Sequence, residues 1–402
     1  MNLTRQFVLW FALVPFAAPG HAQNMNPAPG FARATNAAHV RPAALPRRPS
    51  IIFIACQGLA LGDLGCYGQT NFQTPNLDRL AAGGMTFTDY RAAADALPEA
   101  QAALMAGNRA PFTPGQPTLA ARLQQAGYHT GLIGEWTLGP QPWTQGFDEF
   151  AGYLNQQDAD NYYSDFMWRH APKSVYDQTN RTLKDWDGRE QIYANAGRRK
   201  GQFIPDLMMT AAANFVRENV PDAANHYRPF FLLVNLPAPH SVSPGKDDYP
   251  VPTDAPFSGE NWPQAARNRA ALLTRFDDQV GRLFERLKSL GLTNHVAFFL
   301  AGAVAPEAFA DTNLDFLKLK NEVRGGHSEA RLRVPMLVYW PGHVPAGRVS
   351  DAPWSAPDFA PTALEIAAAK PASGFTGVSM LPTLLGEPGS HPPALPNHSL
   401  GP

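Results

Sequence analysis

The chain has little charge, little cysteine and, beyond its N-terminus, no long apolar run. Charged residues make up 17% of its 402 residues, and the formal net charge is -1. Nucleic acids and anionic membranes are bound through clustered basic residues, so we expect no nucleic acid as a partner. No stretch after the N-terminal segment approaches the ~18 uninterrupted apolar residues that a membrane helix needs, so no membrane span is predicted.

Cysteine occurs only at Cys56 and Cys66. Their separation neither requires nor excludes a disulfide, because pairing depends on the geometry of the fold. An oxidising compartment would permit the bond. Two free, buried thiols are the alternative that we favour.

Residues 1–22 have the pattern of a secretory signal peptide. Arg5 supplies a positive charge, residues 7–18 form a short apolar run, and residues 20–22 resemble a small-x-Ala cleavage site. A disordered, mildly apolar N-terminus is the alternative. Residues 23–48 are rich in Pro, Ala and Asn, which is typical of a flexible linker. We therefore expect an exported protein, either periplasmic or secreted.

Short apolar strands alternate with helical segments along the chain. Residues 50–55, 230–234 and 296–300 are continuous apolar runs, which favour strands buried on both faces of a parallel sheet. Amphipathic helices are predicted between them, so the series has a βαβ pattern. The sequence thus predicts an α/β fold, a three-layer αβα sandwich with a mostly parallel central sheet. In such sheets, ligands bind at the carboxyl ends of the strands.

Two local features are also predicted. Residues 75–84 have a helical pattern that Asn76 can cap. Residues 155–203 are polar, aromatic and irregular, and we expect them to cross the surface rather than to join the core.

A series of short segments, in order along the chain, carries a resemblance to a known family. They are residues 49–54, 61–68, 74–81, 84–88, 103–107, 119–134, 146–150, 229–232, 238–240, 276–281, 333–336, 340–342, 358–362 and 377–382. Over residues 49–386 the chain resembles the sulfatase family, within the alkaline-phosphatase-like superfamily. Residues 387–402 are then expected to form a loose Pro-rich tail.

Cleavage of a sulfate ester calls for a divalent cation, cationic side chains and a strong nucleophile. The resemblance implies a calcium ion held by two pairs of side chains, and a hard cation of this kind prefers oxygen ligands. Those four positions fall on Gln57, Gly58, Ala301 and Gly302. Gln57 offers one neutral oxygen, and the others offer no side-chain oxygen. The sequence therefore predicts that the family's calcium is absent, and it indicates no other cofactor.

The family's nucleophile is made from a Cys or Ser in a C-x-P-x-R motif. Its position falls on Leu97, and the motif's arginine falls on Gln101. Slipping the alignment by one residue places Ala96 and Ala100 there, which are no better. No Cys or Ser lies between residues 67 and 105 to replace the nucleophile.

The positions that would hold the sulfate have changed as well. In the family's Gly-Lys-Trp-His motif, the Lys is replaced by Glu135, which would repel sulfate, and the His by Thr137. The late catalytic Lys falls near Arg324, in a loop of altered length, and His240 is retained. His240 and Arg324 are therefore the surviving catalytic candidates. The alternatives are a structural, hydrogen-bonding histidine and a solvated loop arginine.

Other residues support weaker hypotheses. Asp63 is expected to brace a turn. His327 and Glu329 could join His240 in a transition-metal site. Aromatic residues in the middle of the chain could stack on sugar rings, although packing is their commoner use. They are Trp136, Trp143, Tyr153, Tyr162, Tyr163 and Trp168.

The replacements are mutually consistent, because cation ligands, nucleophile and anion-binding side chains are lost together. The sequence therefore predicts an exported pseudoenzyme that binds or scaffolds, with a glycan or an anionic small molecule as the candidate ligand. The alternative is a hydrolase that cleaves a sulfuric or related anionic ester by a non-standard mechanism. The two-metal phosphatases of the superfamily use Asp and His clusters, which this sequence lacks at its strand ends.

Overall fold

The computed structural model describes residues 48–94, 96–113, 115–171, 186–242, 248–304, 333–370 and 374–387. The predicted signal peptide, nearly all of the predicted linker and residues 388–402 of the tail lie outside the described residues, as do Arg324, His327 and Glu329. The hypotheses on those residues stay predictions.

Strands and helices alternate through the described residues. The strands are β1 (Ser50–Gln57), β2 (Met85–Phe87), β3 (Tyr90–Arg91), β4 (His129–Glu135), β5 (Glu149–Tyr153), β6 (Phe166–Ala171), β7 (Trp186–Gln191), β8 (Phe230–Leu236), β9 (Val296–Val304), β10 (Met336–Tyr339), β11 (Arg348–Ser350) and β12 (Trp354–Ser355). The helices are α1 (Pro75–Gly83), α2 (Leu97–Ala106), α3 (Leu119–Gln125), α4 (Gln156–Ala159), α5 (Ile204–Glu218), α6 (Gln264–Ser289), α7 (Ala356–Ile366) and α8 (Leu381–Leu384). No helix in this part of the chain has the length and apolar character to span a membrane.

One large sheet runs in the order β11-β2-β10-β9-β1-β8-β4-β5-β6-β7. Its central strands, from β9 through β1, β8 and β4 to β5, pair in parallel. β10 and β6 add antiparallel strands at the two sides of this parallel centre. The predicted α/β fold with a mostly parallel central sheet is confirmed.

Helices cover both faces of the sheet. Phe230 packs edge to face on Phe215 of α5, whereas its neighbour Phe231 contacts Phe359 of α7. Successive side chains of a strand point to opposite faces, so α5 and α7 lie on opposite sides. Every residue of β1 is buried, as a strand covered on both faces requires. The architecture is the predicted three-layer αβα sandwich.

The prediction of a surface excursion over residues 155–203 is wrong for part of that segment. β6 pairs antiparallel with β5, and β7 pairs antiparallel with β6, so both strands extend the main sheet. Tyr162 is buried and packs edge to face on Phe203 at 5.7 Å between ring centroids. The aromatic residues that looked irregular in sequence therefore serve packing here.

The predicted cap of α1 by Asn76 is also wrong. Thr74 is the N-cap residue, and its side chain makes no capping hydrogen bond. The backbone N–H groups of Asn76 and Leu77 donate instead to the carboxylate of Asp277 on α6, at 3.1 and 2.8 Å. A carboxylate at a helix N-terminus satisfies donors that lack partners within the helix.

Both cysteines are free thiols. Cys56 is fully buried in β1, and burial raises the pKa of its thiol far above the ordinary range. Burial is also the main cause of the raised pKa of Cys66, which is about 12. The prediction of two free thiols is confirmed, but only Cys56 is fully buried, since Cys66 is partly exposed. Neither has the low pKa of a reactive cysteine.

Candidate functional site

Polar side chains meet where the parallel strands end. Gln57 is the last residue of β1, Glu135 the last of β4, and Asn235 lies near the end of β8. In the paired register, Asn235 lies opposite Ala55 on one side and Gly134 on the other. Because parallel strands present their carboxyl ends at one edge of a sheet, these side chains share a single region. The family resemblance predicted an active-site cleft at this edge of the sheet.

Gln57 and Glu135 bind each other directly. The side-chain amide Nε2 of Gln57 donates to Oε2 of Glu135. The two residues are 1% and 0% exposed, so water does not compete for this bond. The remaining oxygen of each side chain, Oε1, is buried without a hydrogen-bond partner among the described residues.

Burial favours the neutral form of the Glu135 carboxyl. Burial first, and then the negative charge of Asp160, raise the pKa of Glu135 to about 8, while the hydrogen bond from Gln57 lowers it. Removing a carboxylate from water penalises the charged state. At neutral pH the group is therefore mostly a protonated acid.

The backbone of Glu135 is tied to α2 and β8. Its carbonyl oxygen accepts from Nε2 of Gln101 at 2.9 Å and from Nδ2 of Asn235 at 2.8 Å. Oε1 of Gln101 in turn accepts from the backbone N–H and the hydroxyl of Thr137, at 2.8 and 3.1 Å. Gln101 and Thr137, both predicted at degenerate catalytic positions, thus bind each other and the end of β4.

Close backbone packing sets the position of Glu135. Gly134 has a φ of +111°, and a Cβ there would lie 1.9 Å from the carbonyl oxygen of Asn235. Only glycine fits that approach, because the conformation and the space both exclude a side chain. The glycine lets the end of β4 turn against β8 and carry Glu135 towards Gln57.

The predicted nucleophile position is an apolar core position. Leu97 is the first residue of α2, is 3% exposed and packs with Ala100 and Val304. A cavity of about 20 Å³ beside it is lined mainly by apolar side chains, together with Gln101 and Asn235. That volume holds about one water molecule. Leu97 carries no nucleophilic side-chain atom, and neither do the slipped alternatives Ala96 and Ala100.

The residues at the predicted calcium positions do not fit a calcium ion, which takes six to eight oxygen ligands. Gly58 has a φ of +69°, and a Cβ there would lie 3.1 Å from the Cα of His240. Ala301 is fully buried in the core. A Cβ on Gly302 would lie 2.6 Å from the Cβ of Val334, so no carboxylate side chain fits there without movement. Within the described ranges, no group of three or more His, Cys, Asp or Glu side chains could hold a metal.

His240 lies after β8, beyond the cis peptide bond between Ala238 and Pro239. It is 8% exposed, and its Nδ1 lies 3.7 Å from Oδ1 of Asp160. Its backbone carbonyl accepts from the hydroxyl of Tyr162 at 3.0 Å. These contacts favour the structural alternative for His240 over a catalytic role.

A buried ion pair braces the same region. Arg269 of α6 donates to Oδ2 of Asp63 at 2.6 Å, to the carbonyl of Pro239 at 2.8 Å and to that of Gly58 at 3.0 Å. Asp63 also accepts from the backbone N–H of Ala60 at 2.7 Å. The predicted bracing role of Asp63 is confirmed. Sequence reasoning missed Arg269, because nothing in its local pattern distinguishes it from a solvent-exposed helix arginine.

Asn235 and Asp160 were also missed. Asn235 interrupts an apolar strand near its carboxyl end, and that signal could have identified it. Asp160 sits just after the short helix α4, in the segment predicted to be irregular. Of the aromatic residues, Trp136, Tyr153 and Tyr162 are buried and cannot stack on a sugar ring.

The comparisons with known proteins agree with this architecture. The sulfatase family model matches residues 49–369, which is most of the chain. The chain belongs to the sulfatase family. Human N-acetylgalactosamine-6-sulfatase is 30% identical over 382 residues, covering 85% of this chain and 66% of the relative. Bovine arylsulfatase A is 31% identical over 366 residues, covering 84% and 68%. The chain thus spans about two thirds of the length of these sulfatases.

Solved sulfatase-like structures share the fold. Ps i-CgsB in complex with k-i-k-neocarrahexaose has a TM-score of 0.64 and 26% identity, covering 85% of this chain and 77% of that chain. Another, solved with its substrate D-glucosamine-2-N,6-O-disulfate, has a TM-score of 0.60 and 21% identity, covering 85% and 81%. The superfamily membership expected from the sequence motifs is confirmed.

Proposed function

We propose that this sulfatase-family protein is an exported pseudoenzyme, which does not hydrolyse sulfate esters and acts by binding or scaffolding. One observation carries the proposal. The end of β4, where the family's motif would present a cation to the sulfate, carries the buried acid Glu135 hydrogen-bonded to Gln57. The protein's own side chains occupy the region that a bound anion would need.

Two requirements of the chemistry lack their groups at the family positions that the structure describes. The nucleophile position holds Leu97, which is buried among apolar side chains. Oxygen ligands for calcium are absent at Ala301 and Gly302, and the space beside Gly302 is closed by Val334. Without a cation and a nucleophile, neither the polarisation of the ester nor the displacement can occur.

The electrostatics of Glu135 support the same conclusion. While Glu135 is protonated it offers no attraction to an anion, and once ionised it repels one. In neither state does the end of β4 bind a sulfate group. An anionic ester hydrolase of another type is not favoured by the described residues, which hold no cluster of metal-binding side chains.

A glycan is the ligand class that we propose for this protein. Its support is the family's chemistry as seen in similar structures, one solved with a carrageenan-type oligosaccharide and another with a sulfated glucosamine. The predicted signal peptide, residues 1–22, supports export. Mass spectrometry of the secreted protein is expected to find an N-terminus at Gln23.

The decisive measurement is turnover. Purified protein is incubated with p-nitrophenyl sulfate and a panel of sulfated oligosaccharides, with and without added calcium, and released sulfate is measured. We expect no release above the level of buffer. The matched control is a His240→Ala variant, which removes the retained family residue.

Calcium-dependent turnover by the wild type would contradict the proposal, whether or not it falls in the His240→Ala variant. Turnover that separates from the protein on further purification would identify a contaminating enzyme and leave the proposal in place. Binding of desulfated and sulfated forms of the same oligosaccharides, measured by calorimetry, then identifies the ligand.

A further inference from the structure

Two buried side-chain oxygens, at the ends of β1 and β4, lack hydrogen-bond partners in the part of the chain that the structure describes. Oε1 of Gln57 and Oε1 of Glu135 have no hydrogen-bond partner among the described residues. Both side chains are almost fully buried, so bulk water does not supply the missing partners. Unmade hydrogen bonds in a buried site cost free energy. The arrangement therefore calls for a group that satisfies both atoms.

The two side chains already form one of the two hydrogen bonds of an acid–amide pair. Nε2 of Gln57 donates to Oε2 of Glu135. An amide and a carboxyl are both planar, three-atom groups, and a neutral carboxylic acid has an O–H donor where a carboxylate has none. With its proton on Oε1, Glu135 can return a hydrogen bond to Oε1 of Gln57. Acid and amide then share two bonds in a closed ring.

We propose that a proton on Oε1 of Glu135 donates to Oε1 of Gln57, and that this acid–amide lock fastens the ends of β1 and β4 together in a pH-dependent way. The lock takes the place of the cation and anion that the family's cleft would hold. Loss of the proton removes one of its two bonds and leaves a buried charge.

The surroundings favour the proton over an ion pair. Asp160 and Tyr162 come from the segment after α4. The charge of Asp160 raises the pKa of Glu135, and the charge of Glu135 in turn raises the pKa of Tyr162. Oδ1 of Asp160 lies 3.7 Å from Nδ1 of His240, which follows β8. Arg269 of α6 approaches the same region, but its guanidinium is bound to Asp63. The upward shift of the Glu135 pKa, to about 8, agrees with a carboxyl that keeps its proton.

The sign of the pH dependence follows from that shift. The pKa of Glu135 rises from 4.5 to about 8 on folding, so folding takes up a proton between those values. The contribution of the lock is complete below about pH 4.5, decreases as pH rises and is lost above about pH 8. Within that window the folding equilibrium constant falls about tenfold per pH unit from this group.

The test compares the wild type with Glu135→Gln. A glutamine at this position can form a two-bond amide–amide pair with Gln57 and cannot titrate. Urea unfolding of both proteins is measured from pH 5 to pH 9. We expect the ratio of wild-type to variant folding constants to fall about tenfold per pH unit up to about pH 8, and then to level. The exposed control Glu285→Gln is expected to keep the wild-type pH dependence. Equal pH dependence in wild type and Glu135→Gln would overturn the proposal.

A measurement on the wild type keeps the proposal testable if the variant folds poorly. With ¹³C-labelled glutamate, one side-chain carboxyl signal is expected to keep the shift of a protonated acid at pH 6.5 and to move near pH 8. If every glutamate carboxyl is ionised at pH 6.5, the lock does not exist.

A metal or ammonium ion bound by the two oxygens is the competing explanation. Thermal unfolding at pH 7 is compared in sodium, potassium, ammonium and choline chloride at one ionic strength. We expect equal midpoints. A midpoint raised by one small cation, and not raised in Glu135→Gln, would assign the site to that cation and overturn the lock. If the protein cleaves sulfate esters and Glu135 still titrates near pH 8, the proposed function is contradicted but the lock is not.

Discussion

The side chain and the backbone of Glu135 bind different neighbours. The carboxyl binds Gln57 of β1, whereas the carbonyl oxygen accepts from Gln101 of α2 and Asn235 of β8. A buried polar group costs little only when it is hydrogen-bonded. Glu135 therefore connects three strand ends and a helix.

Gln101 offers a direct test of that junction. In Gln101→Ala, the backbone N–H of Thr137 loses its acceptor and Glu135 loses one donor. We expect the free energy of unfolding to fall by about 1–3 kcal/mol, the cost of unsatisfied buried groups. Urea unfolding measures it. The control Gln125→Ala, at an exposed position of α3, is expected to change the value by less than about 0.5 kcal/mol. Equal effects of the two variants would contradict the role of Gln101.

Asp277 and Asp278 are adjacent carboxylates with different environments. Asp277 is buried and accepts from the N-terminal N–H groups of α1, whereas Asp278 is exposed. Asp277→Ala is expected to lower the free energy of unfolding by about 1–3 kcal/mol, because it leaves buried helix donors unpaired. Asp278→Ala serves as the matched control, with an expected change below about 0.5 kcal/mol. Chemical denaturation of both variants checks the difference, and a smaller loss in Asp277→Ala would disprove the cap.

At the scale of secondary-structure elements, the contact between β4 and its neighbours decides where Glu135 lies. Gly134 and Gly152 face each other across β4 and β5, and each would place a Cβ against backbone. Small residues at these points allow the strand ends to approach closely. The position of a functional side chain thus depends on glycines that carry no chemistry themselves.

Gly134 and Gly139 form a matched pair for testing this contact. Both have a positive φ, +111° and +87°, but a Cβ on Gly139 would meet nothing within 4 Å. Gly139→Ala is expected to cost about 1–2 kcal/mol, the penalty of the left-handed conformation alone. Gly134→Ala adds a clash with Asn235 and is expected to cost several-fold more or to prevent soluble expression. Denaturation midpoints and soluble yield report the outcome, and equal stability of the two variants would refute the close contact.

At the scale of the whole molecule, the proposed loss of calcium binding has a measurable consequence. A ligand present at a hundred times its Kd adds about 2.7 kcal/mol to the stability of the protein that binds it. We expect the thermal midpoint to be the same in millimolar CaCl₂, in MgCl₂ of equal ionic strength and in EDTA. Differential scanning calorimetry makes the comparison. A midpoint that rises in calcium and falls in EDTA would show that the protein binds calcium.

The central sheet could be predicted well because its strands are buried on both faces. Residues 50–55, 230–234 and 296–300 are continuous apolar runs, and they form β1, β8 and β9, each extended by two to four residues at its carboxyl end. β6 was missed because most of its side chains are only partly buried, and residues 188–191 of β7 are partly buried or exposed, so their pattern resembles that of a surface loop. The fold class depended on the first kind of strand, which explains why it was predicted correctly.

The sequence by itself determined which chemical groups are present at the strand ends, and so which are missing. Only the tertiary structure decided what the remaining groups do. Gln57 and Glu135 are 78 residues apart, Leu77 and Asp277 are 200 apart, and Asp63 and Arg269 are 206 apart. Local sequence carries no signal for such partners, because they meet only once the sheet and its helices have packed. The presence of an acid at position 135 is a property of the sequence, but its burial, its raised pKa and its amide partner are properties of the fold.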